Sequence, residues 1–239
     1  MVGPGSLVPL LLLLASPART LRVEAEAGNN TLNGVFDAPL GERITAVSSA
    51  VGCDIQLSPE SRNLSGRCSV PLTSITVDAD PTKTEHFRQW ATNRKGDPAR
   101  CTLAAQLDRI EVSFPQTPGE STQFEAEVPF TVCGRPREDG GREHVTGTLV
   151  RLEDGFYRVR ARVEHFHREA YRIGPRFTEG WLARVQSLAK VVAEEGTLEL
   201  TLFASPPGHS ARPRASEDNA PCLPRPSTRS PNEERKCRT

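Results

Sequence analysis

Tyr157-Arg158-Val159-Arg160-Ala161-Arg162-Val163-Glu164 alternates an uncharged, mostly apolar residue with a charged one at every step. Side chains of a β-strand point to opposite faces with period two, so this stretch predicts a strand with one dry face and one fully charged face. Leu198, Leu200 and Leu202 against Thr197, Glu199 and Thr201 repeat the pattern. A sheet made of such strands must wrap its apolar face around its own side chains, a helix or a ligand.

Working outward, alternation bounded by turn residues marks eight segments: Thr31 to Phe36, Arg43 to Leu57, Leu64 to Val77, Cys101 to Phe114, Ser121 to Cys133, His144 to Leu152, Phe156 to His167 and Gly196 to Ala204. Short connections between them predict an antiparallel meander. Closure into an eight-stranded barrel would remove exposed sheet edges. The expected fold class is therefore all-β, with one short helix. Asp80-Pro81 offers an N-cap and a proline at the first helical position, and Phe87, Trp90 and Ala91 follow on one face. This helix is expected to cap one end of the barrel. Trp181 to Val192 carries Leu182, Val185, Leu188 and Val192 at helical spacing, and reads as a helical turn or an extended approach to the last strand.

The two ends are different in kind. Residues 1–18 hold an apolar run, Leu7-Val8-Pro9 and Leu10 to Leu14, then the small residues Ala15-Ser16-Pro17-Ala18, which reads as a secretory signal peptide too short to span a bilayer. Residues 19–30 read as a linker. Residues 205–239 hold seven prolines and seven basic against four acidic side chains, a composition that cannot bury enough surface to offset its ordering entropy, so a disordered basic tail is expected. The whole chain balances 30 basic against 30 acidic residues, which argues against a nucleic-acid binder. That balance sums a mildly acidic domain, 31–204, and the basic tail.

The six cysteines fit an exported protein. If Leu57 faces Leu64 across a hairpin, Cys53 meets Cys68 on the apolar face, at a separation that suits a disulfide. A second hairpin turning at Pro115 to Gly119 would oppose Cys101 to Cys133. There the apolar parity switches from Leu103, Ala105 and Leu107 to Ile110, Val112 and Phe114, so a bulge near Asp108 is expected and Cys101 meets a neighbour of Cys133, which leaves a Cys101–Cys133 disulfide open beside the unbonded reading. Cys222 and Cys237 could close a loop within the tail. No C-x-x-C unit supports a zinc site.

The order of these elements resembles the YceI-like family of polyisoprenoid-binding, lipocalin-like barrels. The resemblance is carried from Thr31 to Ala204 by Phe36-Asp37-Ala38-Pro39-Leu40-Gly41 before Ile44, by Cys68-Ser69-Val70-Pro71-Leu72-Thr73-Ser74-Ile75, and by Lys83-Thr84-Glu85-His86-Phe87. Phe124-Glu125-Ala126-Glu127-Val128-Pro129-Phe130-Thr131-Val132-Cys133-Gly134 and Tyr171-Arg172-Ile173-Gly174-Pro175 complete it. The chain departs from the family's pattern at Gly96-Asp97-Pro98-Ala99-Arg100-Cys101, where an aromatic after a Lys-Tyr-Pro stretch is usual. The arginine that usually precedes the helix histidine has Lys83 as its nearest counterpart.

By parity, the barrel interior is expected to present Leu57, Leu64, Val70, Ile110, Val112, Val128, Val150, Val159, Val163 and Leu200, with Phe124, Phe130 and Tyr157. These could pack on one another or line a cavity, since an eight-stranded barrel can do either. The resemblance implies the cavity, with an isoprenoid lipid or quinone inside, no cofactor, and a periplasmic or secreted location. Two other readings stand beside it. In one, a filled barrel serves as a structural envelope protein whose basic tail contacts an acidic surface. In the other, His165 and His167 point inward on the parity of Val163 and hold a catalytic metal. No G-x-S-x-G, phosphate loop or paired interior carboxylates support a hydrolase.

Overall fold

A computed structural model of the chain describes residues 19–58, 62–177 and 192–206. These residues form thirteen strands, one α-helix and several 3-10 turns. The expected signal peptide, the tail beyond residue 206, most of the segment Trp181 to Val192, and Cys222 and Cys237 lie outside the described residues.

Every strand pairing is antiparallel, and the strands fall into two sheets. In chain order they are β1 (Arg19–Val23), β2 (Thr31–Asp37), β3 (Arg43–Ser48), β4 (Gly52–Ser58), β5 (Asn63–Pro71), β6 (Thr76–Val77) and β7 (Thr102–Glu111). There follow β8 (Ser121–Val128), β9 (Phe130–Val132), β10 (Arg135–Pro136), β11 (Glu143–Arg151), β12 (Tyr157–His167) and β13 (Glu195–Ala204). The first sheet has the order β1-β4-β5-β7-β9-β10 and the second β6-β3-β2-β13-β12-β11-β8.

The expectation of eight strands closing one barrel is corrected here. Three of the long alternating segments break at corners and send their halves to different sheets: Arg43 to Leu57 becomes β3 and β4, Leu64 to Val77 becomes β5 and β6, and Ser121 to Cys133 becomes β8 and β9. Alternation continues through such a corner, so parity alone does not show it. Pro129 marks one corner, because it has no N–H to give the ladder. One seam between the sheets is stitched by the reciprocal backbone pair of Arg22 and Ser205, at 3.0 and 2.8 Å. Along the other, the Thr122 hydroxyl donates to Ser113 O at 2.7 Å, with no ladder between β7 and β8 among the described residues. Arg19–Val23, read from sequence as linker, is an edge strand that buries Leu21 and Val23 against the first sheet.

The register of β4 and β5 is the one the hairpin predicts, with Leu57 opposite Leu64 and Cys53 opposite Cys68, and a disulfide joins that pair. Cys101 and Cys133 are also bonded. The second hairpin is not formed. β7 pairs with β9, while β8 crosses to the other sheet beside β11. The bulge near Asp108 is present: Leu64 faces Ile110 and Gly66 faces Leu107, leaving Asp108 and Arg109 against Ser65 alone. A second bulge interrupts β12 between Val163 and Phe166.

The helix α1 (Pro81–Ala91) starts as the sequence dictates. Asp80 accepts hydrogen bonds from the backbone of Thr82 and Lys83, at 2.7 and 3.1 Å. Its far end is clamped by Arg135, which donates to Ala91 O and, at 3.3 Å, to Tyr171 O. Tyr171 is fully buried, stacks on Phe166, and donates to the buried Glu143 at 2.6 Å. Burial, then the Glu143 carboxylate, drives the Tyr171 hydroxyl strongly toward its neutral form. Arg137 completes the cluster at 3.0 Å from Glu143, so this buried carboxylate is both paired and hydrogen-bonded.

Candidate functional site

A cavity of about 760 Å³ opens between the second sheet and α1. Its sheet wall is built from Leu32, Gly34 and Phe36 of β2, Ile44 and Ala46 of β3, and Leu198 of β13. Register explains why there is room: Gly34 lies between Leu198 and Ala46 across the three strands, so the inner face is locally shallow. Phe36 lies over Gly196, where an added Cβ would stand 2.4 Å from the ring and 2.5 Å from Val35 O. A cross-strand aromatic covering a glycine is a recurrent way to hold a ring flat on a sheet. Phe87 and Trp90 of α1 face this wall, and Leu72, Ile75, Leu103 and Val132 form the floor.

The polar groups at the cavity are for the most part already engaged. Lys83 donates to Asp78 at 2.7 Å, and the same carboxylate accepts from Thr45 N at 2.7 Å. Burial pushes Asp78 up, but the Lys83 and Thr45 hydrogen bonds outweigh it and hold the carboxyl below its ordinary value. Arg168 is buried and donates to Ile173 O and Val192 O, each at 2.7 Å, and to Ala193 O at 2.9 Å. Its charge is also met by Glu169 at 3.6 Å. Glu42 and His86 stand at the rim, with His86 stacked on Trp90 at 6.5 Å between ring centres. Beside them Leu40 is fully exposed.

The thirteen residues expected inside the barrel lie elsewhere, and none lines this cavity. Leu57, Val70, Ile110, Val112, Val128, Phe130, Tyr157 and Val163 are buried in the packed core, with Leu64, Phe124, Val159 and Leu200 against it. Val150 is only half-buried and sits beside Arg158 on the outer face, because β11 turns Val145 and Leu149 inward instead. The inward pair of histidines is likewise corrected. The β12 bulge leaves Glu164 and His165 against Thr197, turns Phe166 into the core, and leaves His165 on the surface. His165 is hydrogen-bonded to Glu195, and His167 lies 3.4 Å from the same carboxylate. Among the described residues no three His, Cys, Asp or Glu side chains converge to hold a metal.

Two antiparallel sheets, one helix packed against them and an apolar hollow beneath that helix define a two-sheet calyx. The solved structure of a polyisoprenoid-binding domain from Saccharophagus degradans, implicated in plant cell wall breakdown, superposes on it with a TM-score of 0.54. The match covers 80% of this chain and 98% of that one at 13% identity, a likeness of fold that agrees with the resemblance to the YceI-like family. The sequence itself matches no protein-family model and no curated protein.

Proposed function

We propose that the protein is an exported, non-enzymatic carrier that binds an apolar chain, of the polyisoprenoid or isoprenoid-quinone kind, in the cavity beneath α1. The observation that carries this reading is an apolar hollow of about 760 Å³ whose main cations are neutralised by their own neighbours. Its size falls within the range of small-molecule sites. Burying about 300 Å² of apolar ligand surface there contributes roughly 7 kcal/mol before the costs of association, enough for useful affinity without a charged anchor. The fold of a polyisoprenoid-binding domain supports the same ligand class. Two disulfides support export to an oxidising compartment, as does the signal-peptide reading of residues 1–18. No helix among the described residues is long and apolar enough to cross a membrane.

Native mass spectrometry of protein purified from its own cell envelope tests the proposal, with a copurifying species of fixed mass as the expected result. Titration with an isoprenoid quinone should quench Trp90, and Ala46→Phe, which fills the sheet wall, should abolish uptake while the protein stays folded. An empty preparation that also takes up no quinone overturns the reading.

A further inference from the structure

The outer face of the second sheet carries a site independent of the cavity. Register places its side chains in rows that run across the strands. One row reads Gln123, Thr148, Arg160, Thr201 from β8 to β13. The next toward one end reads Ser121, Val150, Arg158, Phe203, and the next toward the other reads Glu125, Thr146, Arg162, Glu199. Strands lie about 4.8 Å apart, so Arg160 has a threonine hydroxyl at that spacing on either side. A groove of about 640 Å³ follows the Arg160 row and the Arg162 row, and the Arg158 row lies outside it.

Charge is unevenly spread along the face. Arg162 is neutralised in place by Glu164 at 3.2 Å and Glu199 at 3.5 Å. The rows of Arg160 and Arg158 contain no acidic residue, neither arginine has an ion-pair partner among the described residues, and the Arg158 Nε is without a hydrogen bond. Positive potential is therefore concentrated on a strip whose other groups are hydroxyls, one amide and two apolar side chains.

We propose that this strip binds a carboxylate-bearing polysaccharide. The planar fork of Arg160 matches a carboxylate in bidentate fashion. Thr148, Thr201 and Gln123 both donate and accept, as sugar hydroxyls require. Val150 and Phe203, beside Arg158, present apolar surface to the C–H face of a sugar ring. Two arginines and one aromatic ring, Phe203, fall short of the basic surface and successive stacking rings that a nucleic acid uses, and so polar a strip does not suit a lipid bilayer.

Calorimetric titration of the intact protein at physiological salt tests this, with an oligogalacturonate, a cello-oligosaccharide of equal length and a polyphosphate. Saturable binding of the oligogalacturonate alone is expected. Arg160→Gln should weaken it about tenfold, the loss of one charge-assisted pair. Arg160→Lys should fall between, and Glu199→Gln should bind at least as well as wild type. Ala46→Phe should bind normally, which separates this site from the cavity. No binding, equal binding of polyphosphate, or a folded Arg160→Gln variant that binds like wild type overturns the proposal.

Discussion

Removing each disulfide in turn separates what holds the fold from what shapes the cavity. Cys53 and Cys68 are 15 residues apart in sequence, Cys101 and Cys133 are 32 apart. The chain-entropy relation gives about 3.0 kcal/mol for the shorter loop and about 3.7 kcal/mol for the longer at 25 °C. For a domain of this size these correspond to losses of roughly 6–12 °C and 7–15 °C in Tm. The consequences for ligand should differ far more than the stabilities. Cys53–Cys68 ties β4 to β5, and none of its residues borders the cavity. The Cys133 sulfur lies 3.3 Å from Ala91 O at the end of α1. The adjoining pair Leu103 and Val132 forms part of the cavity floor. We therefore expect Cys53→Ala/Cys68→Ala to retain quinone uptake at temperatures where it is folded. Cys101→Ala/Cys133→Ala should lose affinity at temperatures where circular dichroism shows it folded. Thermal melts with Trp90 quenching titrations at matched fractions folded measure both. Equal affinity in the two double variants would refute the link between the second disulfide and the site.

Two glycines offer a second contrast. Gly196→Ala would set a Cβ 2.4 Å from the Phe36 ring and 2.5 Å from Val35 O, and Gly147→Ala would set one 2.4 Å from the Phe124 ring and 2.5 Å from Arg160 O. Both should cost about 1–3 kcal/mol in denaturant melts, but only Gly196→Ala displaces a cavity wall and should weaken quinone binding. The pH dependence of the β12 bulge follows from its ion pair. The His165 hydrogen bond, the largest effect, holds Glu195 below its ordinary 4.5, and Glu195 in turn raises His165 above its ordinary 6.5. The Glu195 contribution is present above 4.5 and lost as pH falls through its depressed value. The His165 contribution is present below 6.5 and lost as pH rises through its raised value. Together they are fullest between about pH 4.5 and 6.5. The Tm difference between wild type and His165→Ala should shrink toward alkaline pH; a constant difference up to pH 9 would count against the pair.

Local chemistry in the sequence foretold much of the fold. Asp80-Pro81 sets the start of α1, Leu57 opposite Leu64 sets the β4–β5 register, and the parity switch after Leu107 marks the bulge at Asp108. The missed features are those that parity does not encode. A strand that bends from one sheet into the other keeps its inside-outside alternation, so β3 and β4 read as one strand, as do β8 and β9. In β12 the string Val163-Glu164-His165-Phe166-His167 is ambiguous. With regular pleating the histidines point inward and Phe166 outward. The cost of leaving a phenylalanine in water and burying two imidazoles favours the bulge, which reverses that choice.

The cavity was hard to see for a related reason. Bulky aliphatic residues at inward positions announce a wall only if something other than the opposite wall faces them. In this chain they mark the packed core: Val70, Ile110, Val128 and Val163 are each exposed over less than a tenth of their surface. The hollow lies where inward positions are small, at Gly34 and Ala46, with Gly196 beneath the Phe36 ring, and where the opposing surface is a helix instead of a sheet. An amphipathic helix inserted between β6 and β7 requires one stretch of sheet to stand away from its partner. Small residues on the strands facing it are then the signal for space, and the large residues elsewhere are the signal for its absence. The same reasoning explains why the hollow lies under Phe87 and Trp90, not along the length of the calyx.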